Sequence, residues 1–141
     1  MSAIEIRLMK MEDYDEVFHL WSSTPGMCLR NYDDSVEGIA KFLKKNPTSN
    51  FVALSENSII GVILSSNDGR RGYIYHATVH PDYRNRGVGK ALLQKVYDEL
   101  KKEGISKAGL LVLKDNEIGN IFWKSQKWED RTELKYYSKD I

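Results

Sequence analysis

A short basic, glycine-containing stretch is the part of this sequence whose residue types and spacing most clearly suggest chemistry. It follows an apolar segment and Pro81, has glycine at 87 and 89, and carries basic side chains at 84, 86 and 90. A helix beginning here would present unpaired backbone N–H groups and about half a positive charge. Because glycine has no β-carbon, a phosphate can approach such a backbone closely. The stretch predicts a phosphate or pyrophosphate site; the alternative is an ordinary strand-to-helix turn with incidental basic residues.

Two familiar nucleotide-binding motifs do not fit this stretch. A Walker loop requires G-x-x-x-x-G-K-[ST], whereas here Lys90 is followed by Ala91 and the glycines stand too close together. A dinucleotide fingerprint requires a third glycine, and Leu92 occupies that position. The strands predicted before it also form a meander rather than a βαβ unit.

The predicted elements place the glycine stretch between the last strand of a meander and a long helix. Helical periodicity and capping residues predict helices that begin near Met11, Asp33, Lys90 and Asn116. Apolar patterns and turn signals predict strands at Ile4–Leu8, Asn50–Ser55, Ile59–Ser66, Gly72–Val79, Ala108–Leu113 and Trp128–Tyr137. This order predicts an α/β fold of the α+β type with a mixed sheet, in a single domain over residues 1–141.

Composition excludes several other classes. The chain has 141 residues, 41% of them apolar, and a net charge of +1, which disfavours a protein that coats nucleic acid. No apolar run reaches the ~18–20 residues of a membrane helix, and the N-terminus lacks the layout of a signal peptide. Cys28 is the single cysteine, which excludes an internal disulfide and a cysteine-based zinc site. We expect a cytoplasmic protein that binds neither nucleic acid nor membranes.

Two segments resemble the GNAT superfamily of N-acetyltransferases. Residues 79–93 read VHPDYRNRGVGKALL, which matches the family's V-x-P, Q/R-x-x-G-x-G/A and helix signature without a gap. Asn116, followed by Gly119, Phe122 and Trp123, resembles the family's N-x-x-A-x-x-L-Y segment. The order of elements also agrees over essentially the whole chain.

The resemblance implies a fold, a co-substrate and a set of binding residues. The expected fold is a central, mostly antiparallel sheet, splayed between the strands of Val79 and Val112, with helices on both faces. The expected co-substrate is acetyl-CoA, without a metal. Its pantetheine arm would pair with β-strand backbone and with Asn116, and its pyrophosphate would lie on the helix start; the residues implied are Ala77, Thr78, Val79, Arg84, Asn85, Arg86, Gly87, Val88, Gly89, Lys90 and Asn116. Asn116 could instead, or in addition, be a helix cap.

The resemblance also implies direct attack of a primary amine on the thioester in a ternary complex. The amine would belong to a small molecule, a peptide or a protein, and the Val79 N–H would stabilise the oxyanion. His76 is the preferred candidate base, with Tyr75 and His80 as the others, because residues 72–79 contain no acid. Proton loss through ordered water is an equally good alternative.

One departure from the family pattern concerns the leaving thiolate. Many members place a tyrosine that protonates it where this chain has Trp123, which we expect to pack in or beside the cofactor groove or in the core. This departure motivates an alternative function, a catalytically silent CoA-binding regulatory or interaction domain.

The acceptor amine is not identified by the sequence. We expect its site to involve the segment Ser22–Tyr32, the start of the second helix and Tyr136–Tyr137. Asp33, Asp34 and Glu37 could attract a cationic amine or simply cap the helix. A homodimer is an open alternative to a monomer.

Overall fold

The computed structural model describes residues 3–141 and contains one five-stranded sheet. The strands lie in sequence order across the sheet, with antiparallel pairs throughout except for the last pair, which is parallel. They are β1 (Ile4–Leu8), β2 (Phe51–Ser55), β3 (Ser58–Asn67), β4 (Gly72–Val79) and β5 (Ala108–Leu110). The helices are α1 (Tyr14–Ser22), α2 (Asn31–Asp34), α3 (Val36–Lys45), α4 (Val88–Lys102) and α5 (Glu117–Ser125).

Helices cover both faces of the sheet. Val62 of β3 belongs to the same buried cluster as Trp21 of α1 and Ile39 of α3. Because side chains alternate along a strand, Gly61 faces the other way, and a β-carbon there would lie 3.2 Å from Leu92 of α4. The predicted mixed, mostly antiparallel sheet with helices on both faces is therefore confirmed.

Helix α4 owes its position to a regular apolar stripe and to small residues opposite it. The stripe consists of Val88, Leu92, Leu93, Val96 and Leu100, all buried, and burying each such side chain contributes about 1.5–3 kcal/mol. A β-carbon at Gly72 would lie only 2.8 Å from Leu100. Glycine at 61 and 72 thus lets α4 lie close against β3 and β4.

Three local predictions were wrong. The strand predicted at Trp128–Tyr137 does not form: the segment has no regular secondary structure and contains a turn closed by the Leu134 N–H and the Arg131 carbonyl. The strand predicted at Ala108–Leu113 ends at Leu110, so Val112 lies beyond it. The nearly all-apolar sequence of this segment also predicts a strand buried on both faces, whereas Ala108, Gly109 and Leu110 are each only half-buried.

The predicted cap of the second helix, Asp33-Asp34-Ser35, is correct at Ser35 and wrong at the two aspartates. Ser35 is the cap of α3, its side-chain oxygen accepting from the Gly38 N–H at 3.1 Å. Asp33 and Asp34 instead end a separate four-residue helix, α2.

The described chain divides into two compact units. The first ends at Leu111 and contains all five strands and helices α1–α4, whereas the second, Val112–Ile141, contains α5. The expectation of a single domain stays a prediction. None of the helices within residues 3–141 combines the length and apolar character needed to cross a membrane.

An ion pair joins β1 to the start of α1. Both carboxylate oxygens of Asp13 accept from the Arg7 guanidinium, at 2.8 and 2.9 Å, and one also accepts from the Lys10 N–H. The Arg7 hydrogen bonds hold the pKa of Asp13 below its usual value, although burial opposes this. A carboxyl with a lowered pKa stabilises the fold above the unfolded-state pKa, and the stabilisation is lost as pH falls through the folded-state pKa.

We therefore expect Asp13→Asn to lower the free energy of unfolding at neutral pH by about 1–2 kcal/mol. The deficit should shrink below about pH 4, where Asp13 of the unfolded wild-type chain begins to be protonated while the folded protein still holds the carboxylate. Urea unfolding of both proteins at several pH values measures this. Asp33→Asn is the control, because the Arg30–Asp33 pair is exposed and should contribute less than about 1 kcal/mol. Equal effects of the two substitutions at neutral pH would contradict the prediction.

Candidate functional site

The second half of β4 extends past its neighbour β5. The two strands pair from Gly72↔Ala108 to Ile74↔Leu110, and β4 continues from there to Val79. The predicted pantetheine-binding backbone, residues 77–79, lies in this extension.

The hydrogen-bonding pattern directs the Val79 backbone away from β3. The His80 N–H donates to the Ile60 carbonyl at 2.7 Å, so these two residues form a hydrogen-bonding pair. Antiparallel pairs alternate, and the adjacent pair, Val79 and Gly61, is therefore of the non-hydrogen-bonding kind. Both the N–H and the carbonyl of Val79 consequently point to the side of β4 opposite β3.

Arg84 confirms this direction for the carbonyl. Its Nε donates to the Val79 carbonyl oxygen at 3.0 Å. The contact ties the end of β4 to the basic stretch that follows it.

A β-bulge interrupts β4 at His76. Tyr75 lies opposite Leu64 and Thr78 lies opposite Val62, so β4 contains one more residue than β3 across this interval. His76 has a φ of 47°, in the left-handed region that residues with a β-carbon rarely adopt. The extra residue brings the His76 side chain onto the same sheet face as α1.

There His76 forms a hydrogen bond with a carboxylate that the sequence did not predict. Its Nε2 lies 2.8 Å from Oδ1 of Asp34, and both side chains are largely buried, 15% and 7% exposed. The other oxygen of Asp34 accepts from the Arg30 N–H at 2.8 Å. The ring of the fully buried Trp21 packs edge-on against the His76 ring, with centroids 4.9 Å apart.

The pKa of the Asp34 carboxyl reflects this environment. Burial favours the neutral acid, but the hydrogen bonds from His76 and from the Arg30 N–H hold the pKa below its usual value. Asp34 is therefore a carboxylate at neutral pH.

The basic stretch forms a turn and then the start of α4. Asn85 and Gly87 both have positive φ, 61° and 80°, and Gly87 is the N-cap residue of α4, with no side chain bonded to the first turn. That turn contains no acidic residue. Val88 is buried and anchors the turn, whereas the Arg86 guanidinium lies over the Tyr83 ring at 5.4 Å.

The predicted residues of the second unit have contacts of their own. Asn116 Oδ1 accepts from the Gly119 N–H at 2.9 Å, so the cap reading of Asn116 is correct. Trp123 packs edge-on against the rings of Phe122 and Trp128. A contact of either Asn116 or Trp123 with acetyl-CoA stays a prediction.

The remaining candidates are spread over the surface. Tyr75 is 41% exposed and packs against Phe42, and the His80 ring nitrogen accepts from the Asp82 N–H. A cavity of about 610 Å³ beside α2 and α3 is lined by Asn31, Tyr32, Ser35, Glu37, Gly38 and Lys41. Tyr136 and Tyr137, in the second unit, are exposed.

A family model described as the acetyltransferase (GNAT) family matches residues 12–127. This chain belongs to the GNAT acetyltransferase family. An acetyltransferase of Sodalis glossinidius (strain morsitans) is 35% identical over 126 residues, which cover 89% of this chain and 87% of that relative. An acetyltransferase of Yersinia pestis (strain Pestoides F) is 34% identical over 114 residues, covering 81% of this chain and 79% of the relative.

Solved structures share the GNAT fold. The chain is similar to an aminoglycoside N-acetyltransferase in complex with CoA, at 20% identity and a TM-score of 0.79, covering 100% of this chain and 97% of that one. It is also similar to the PaiA N-acetyltransferase of Thermoplasma acidophilum in complex with coenzyme A, at 20% identity and a TM-score of 0.76, covering 88% of each chain.

Membership of the GNAT family confirms three predictions: the family itself, the class of acyl-CoA-dependent N-acetyltransferase, and acetyl-CoA as co-substrate. Among residues 3–141, no group of three or more His, Cys, Asp or Glu side chains is placed to hold a metal ion.

The Asn116 cap can be tested in this GNAT chain. We expect Asn116→Ala to destabilise the protein by about 1 kcal/mol, because the Gly119 N–H loses its acceptor, whereas Asn116→Asp keeps an acceptor and wild-type stability. Urea unfolding measures both, and wild-type stability of Asn116→Ala would contradict the cap. The CoA affinity of Asn116→Asp is a separate readout, since aspartate cannot donate a hydrogen bond to pantetheine.

Proposed function

We propose that this chain transfers the acetyl group of acetyl-CoA to a primary amine of a small molecule, a peptide or a protein, by direct attack in a ternary complex. The observation that carries the proposal is the direction of the Val79 backbone, which points away from β3, together with the start of α4, which follows after residues 80–86 and has no side-chain cap. A strand end and a helix start joined in this way offer acetyl-CoA two kinds of backbone contact: a strand edge for its pantetheine arm and helix N–H groups for its pyrophosphate.

The helix start is the proposed pyrophosphate site. N–H groups at residues 86–90 would donate to phosphate oxygens, and Arg84, Arg86 and Lys90 supply positive charge without an acidic side chain in the first turn. The Gly87 position is open, since no atom lies within 4 Å of where its β-carbon would be. Asn85 stands at the edge of this turn.

The backbone of residues 77–79 is the proposed pantetheine and thioester site. A pantetheine arm adds to an exposed strand edge as another strand would. The Val79 N–H points away from β3 and is the proposed donor to the oxyanion that forms when the amine attacks.

The proposed base is His76. A lysine-like amine has a pKa near 10.4 and must lose a proton before or during attack, whereas an α-amine, near 7.7–8.0, needs less help. His76 is three residues before Val79 on the same strand, and its ring is 15% exposed. The CoA thiol, with a pKa of about 8.5, leaves without a dedicated side-chain acid at the Trp123 position.

Thiol release from acetyl-CoA tests the function. We expect saturable CoA binding by calorimetry and amine-dependent thiol release with at least one class among polyamines, amino acids, aminoglycosides and peptides with free N-termini or lysines. CoA binding without release for any amine would favour the silent regulatory domain. The absence of CoA binding at millimolar concentration would overturn the proposal.

A matched pair of glycine substitutions tests the pyrophosphate site. Gly87 and Gly104 flank the two ends of α4, with φ of 80° and 76°, and neither has an atom within 4 Å of an added β-carbon. Alanine at either position should therefore cost a similar backbone strain, about 1–2 kcal/mol. We expect Gly87→Ala to weaken CoA binding about tenfold or more, since the methyl group stands where phosphate would approach the backbone. Gly104→Ala should keep wild-type affinity. Equal affinities of the two variants would contradict the assignment.

A further inference from the structure

The carboxylate of Asp34 selects the tautomer of the neutral His76 ring. Because Asp34 is ionised, its oxygens can only accept hydrogen bonds, and one of them lies 2.8 Å from Nε2 of His76. Nε2 must therefore carry the proton in this contact. In the neutral ring, the lone pair is then on Nδ1.

The second ring nitrogen is accessible. Within residues 3–141, Nδ1 of His76 has no hydrogen-bond partner. Two fully buried side-chain atoms also lack a partner, and Nδ1 is not one of them, so Nδ1 is not fully buried. Those buried atoms are Trp21 Nε1 and Ser55 Oγ. The ring thus holds one nitrogen against a carboxylate and keeps the other, basic nitrogen open to an incoming molecule.

The surroundings hold this orientation. Trp21 packs against the ring, the Arg30 N–H occupies the second oxygen of Asp34, and the Tyr14 hydroxyl donates to the Asp34 carbonyl at 2.5 Å. The bulge, by the positive φ of His76, brings the ring to this place from the strand. Three contacts and the bulge therefore support the geometry of a single imidazole.

From this geometry we infer that Asp34 is a positioning residue for acetyl transfer, which holds His76 with Nδ1 directed to accept the proton of the acceptor amine. The inference rests on the proposed function. The amine nitrogen forms a bond to the thioester carbonyl carbon, the C–S bond breaks, and CoA thiolate leaves with the electron pair. The amine proton passes to Nδ1, Asp34 stabilises the imidazolium that results, and the proton is then released to solvent.

Steady-state kinetics test the inference with an acceptor on which the wild type is active. We expect Asp34→Asn to lower kcat about 10²-fold, because the amide can donate to Nε2 and so favours the wrong tautomer, while the KM for acetyl-CoA stays within about twofold. Asp34→Glu should recover part of the loss. In a His76→Ala background, Asp34→Asn should cause no further loss, since its effect passes through the ring. An equal loss in both backgrounds would show a structural role and overturn the inference, as would wild-type kcat in Asp34→Asn.

Asp13→Asn is the control for stability. Asp13 is also a largely buried carboxylate with a lowered pKa, but its partner is Arg7 rather than a histidine. We expect this variant to lose stability and keep kcat within about twofold. A parallel loss of kcat would mean that destabilisation alone explains the Asp34 result.

Nitrogen NMR of labelled histidine tests the tautomer without activity or a substitution at Asp34. At about pH 8, we expect the His76 signals, assigned by their loss in His76→Ala, to show the proton on Nε2. A proton on Nδ1 would overturn the inference even in an active enzyme. Conversely, a wild-type protein that binds CoA but releases no thiol would refute the proposed function and, with it, the catalytic role of Asp34. The NMR result would still show whether Asp34 fixes the tautomer of His76.

Discussion

The candidate site depends on which residues of β4 direct their backbone N–H and carbonyl groups towards β3 and which direct them away. A regular ladder that continued the register of Leu64↔Tyr75 would place Val79 opposite Ile60, and the Val79 N–H would then donate into the sheet. The extra residue at His76 shifts the pairing by one, so that the Val79 N–H points outwards instead. One bulge therefore directs both a backbone donor and an imidazole ring.

Glycine at position 61 allows the start of α4 to pack closely against the sheet beside the same strand. A β-carbon at Gly61 would lie 3.3 Å from the Thr78 carbonyl and 3.4 Å from Val88 at the first turn of α4. The hydrogen bond from Arg84 to the Val79 carbonyl also ties the end of β4 to the segment that leads into α4. The strand end and the helix end thus form a single rigid corner, in which backbone N–H groups of both elements are presented by packing rather than by flexible side chains.

The strand, the turn and the helix that follow one another within residues 72–102 could be predicted from the sequence. The family and the co-substrate followed from the resemblance of residues 79–93 and of the Asn116 segment to the GNAT signature, and the sheet type followed from the order of the predicted elements. The Asp34–His76 pair could not be predicted, because 42 residues separate the partners and nothing in the local pattern marks a bulge at a histidine. The strand wrongly predicted at Trp128–Tyr137 shows that local pattern can also mislead. Its aromatic residues favour a strand, but the segment contains a turn.

Helix α2 has only four residues, too few to persist through its own hydrogen bonds. Its order comes from contacts to other elements, above all from the Tyr14 hydroxyl to the Asp34 carbonyl and from Asp34 to His76. Opening this segment would leave the sheet and α4 in place, so we expect its free energy to lie below that of global unfolding. Warming would then separate the carboxylate from the imidazole before the core melts, and the working temperature range of the protein would be limited by a single turn of helix rather than by its hydrophobic core.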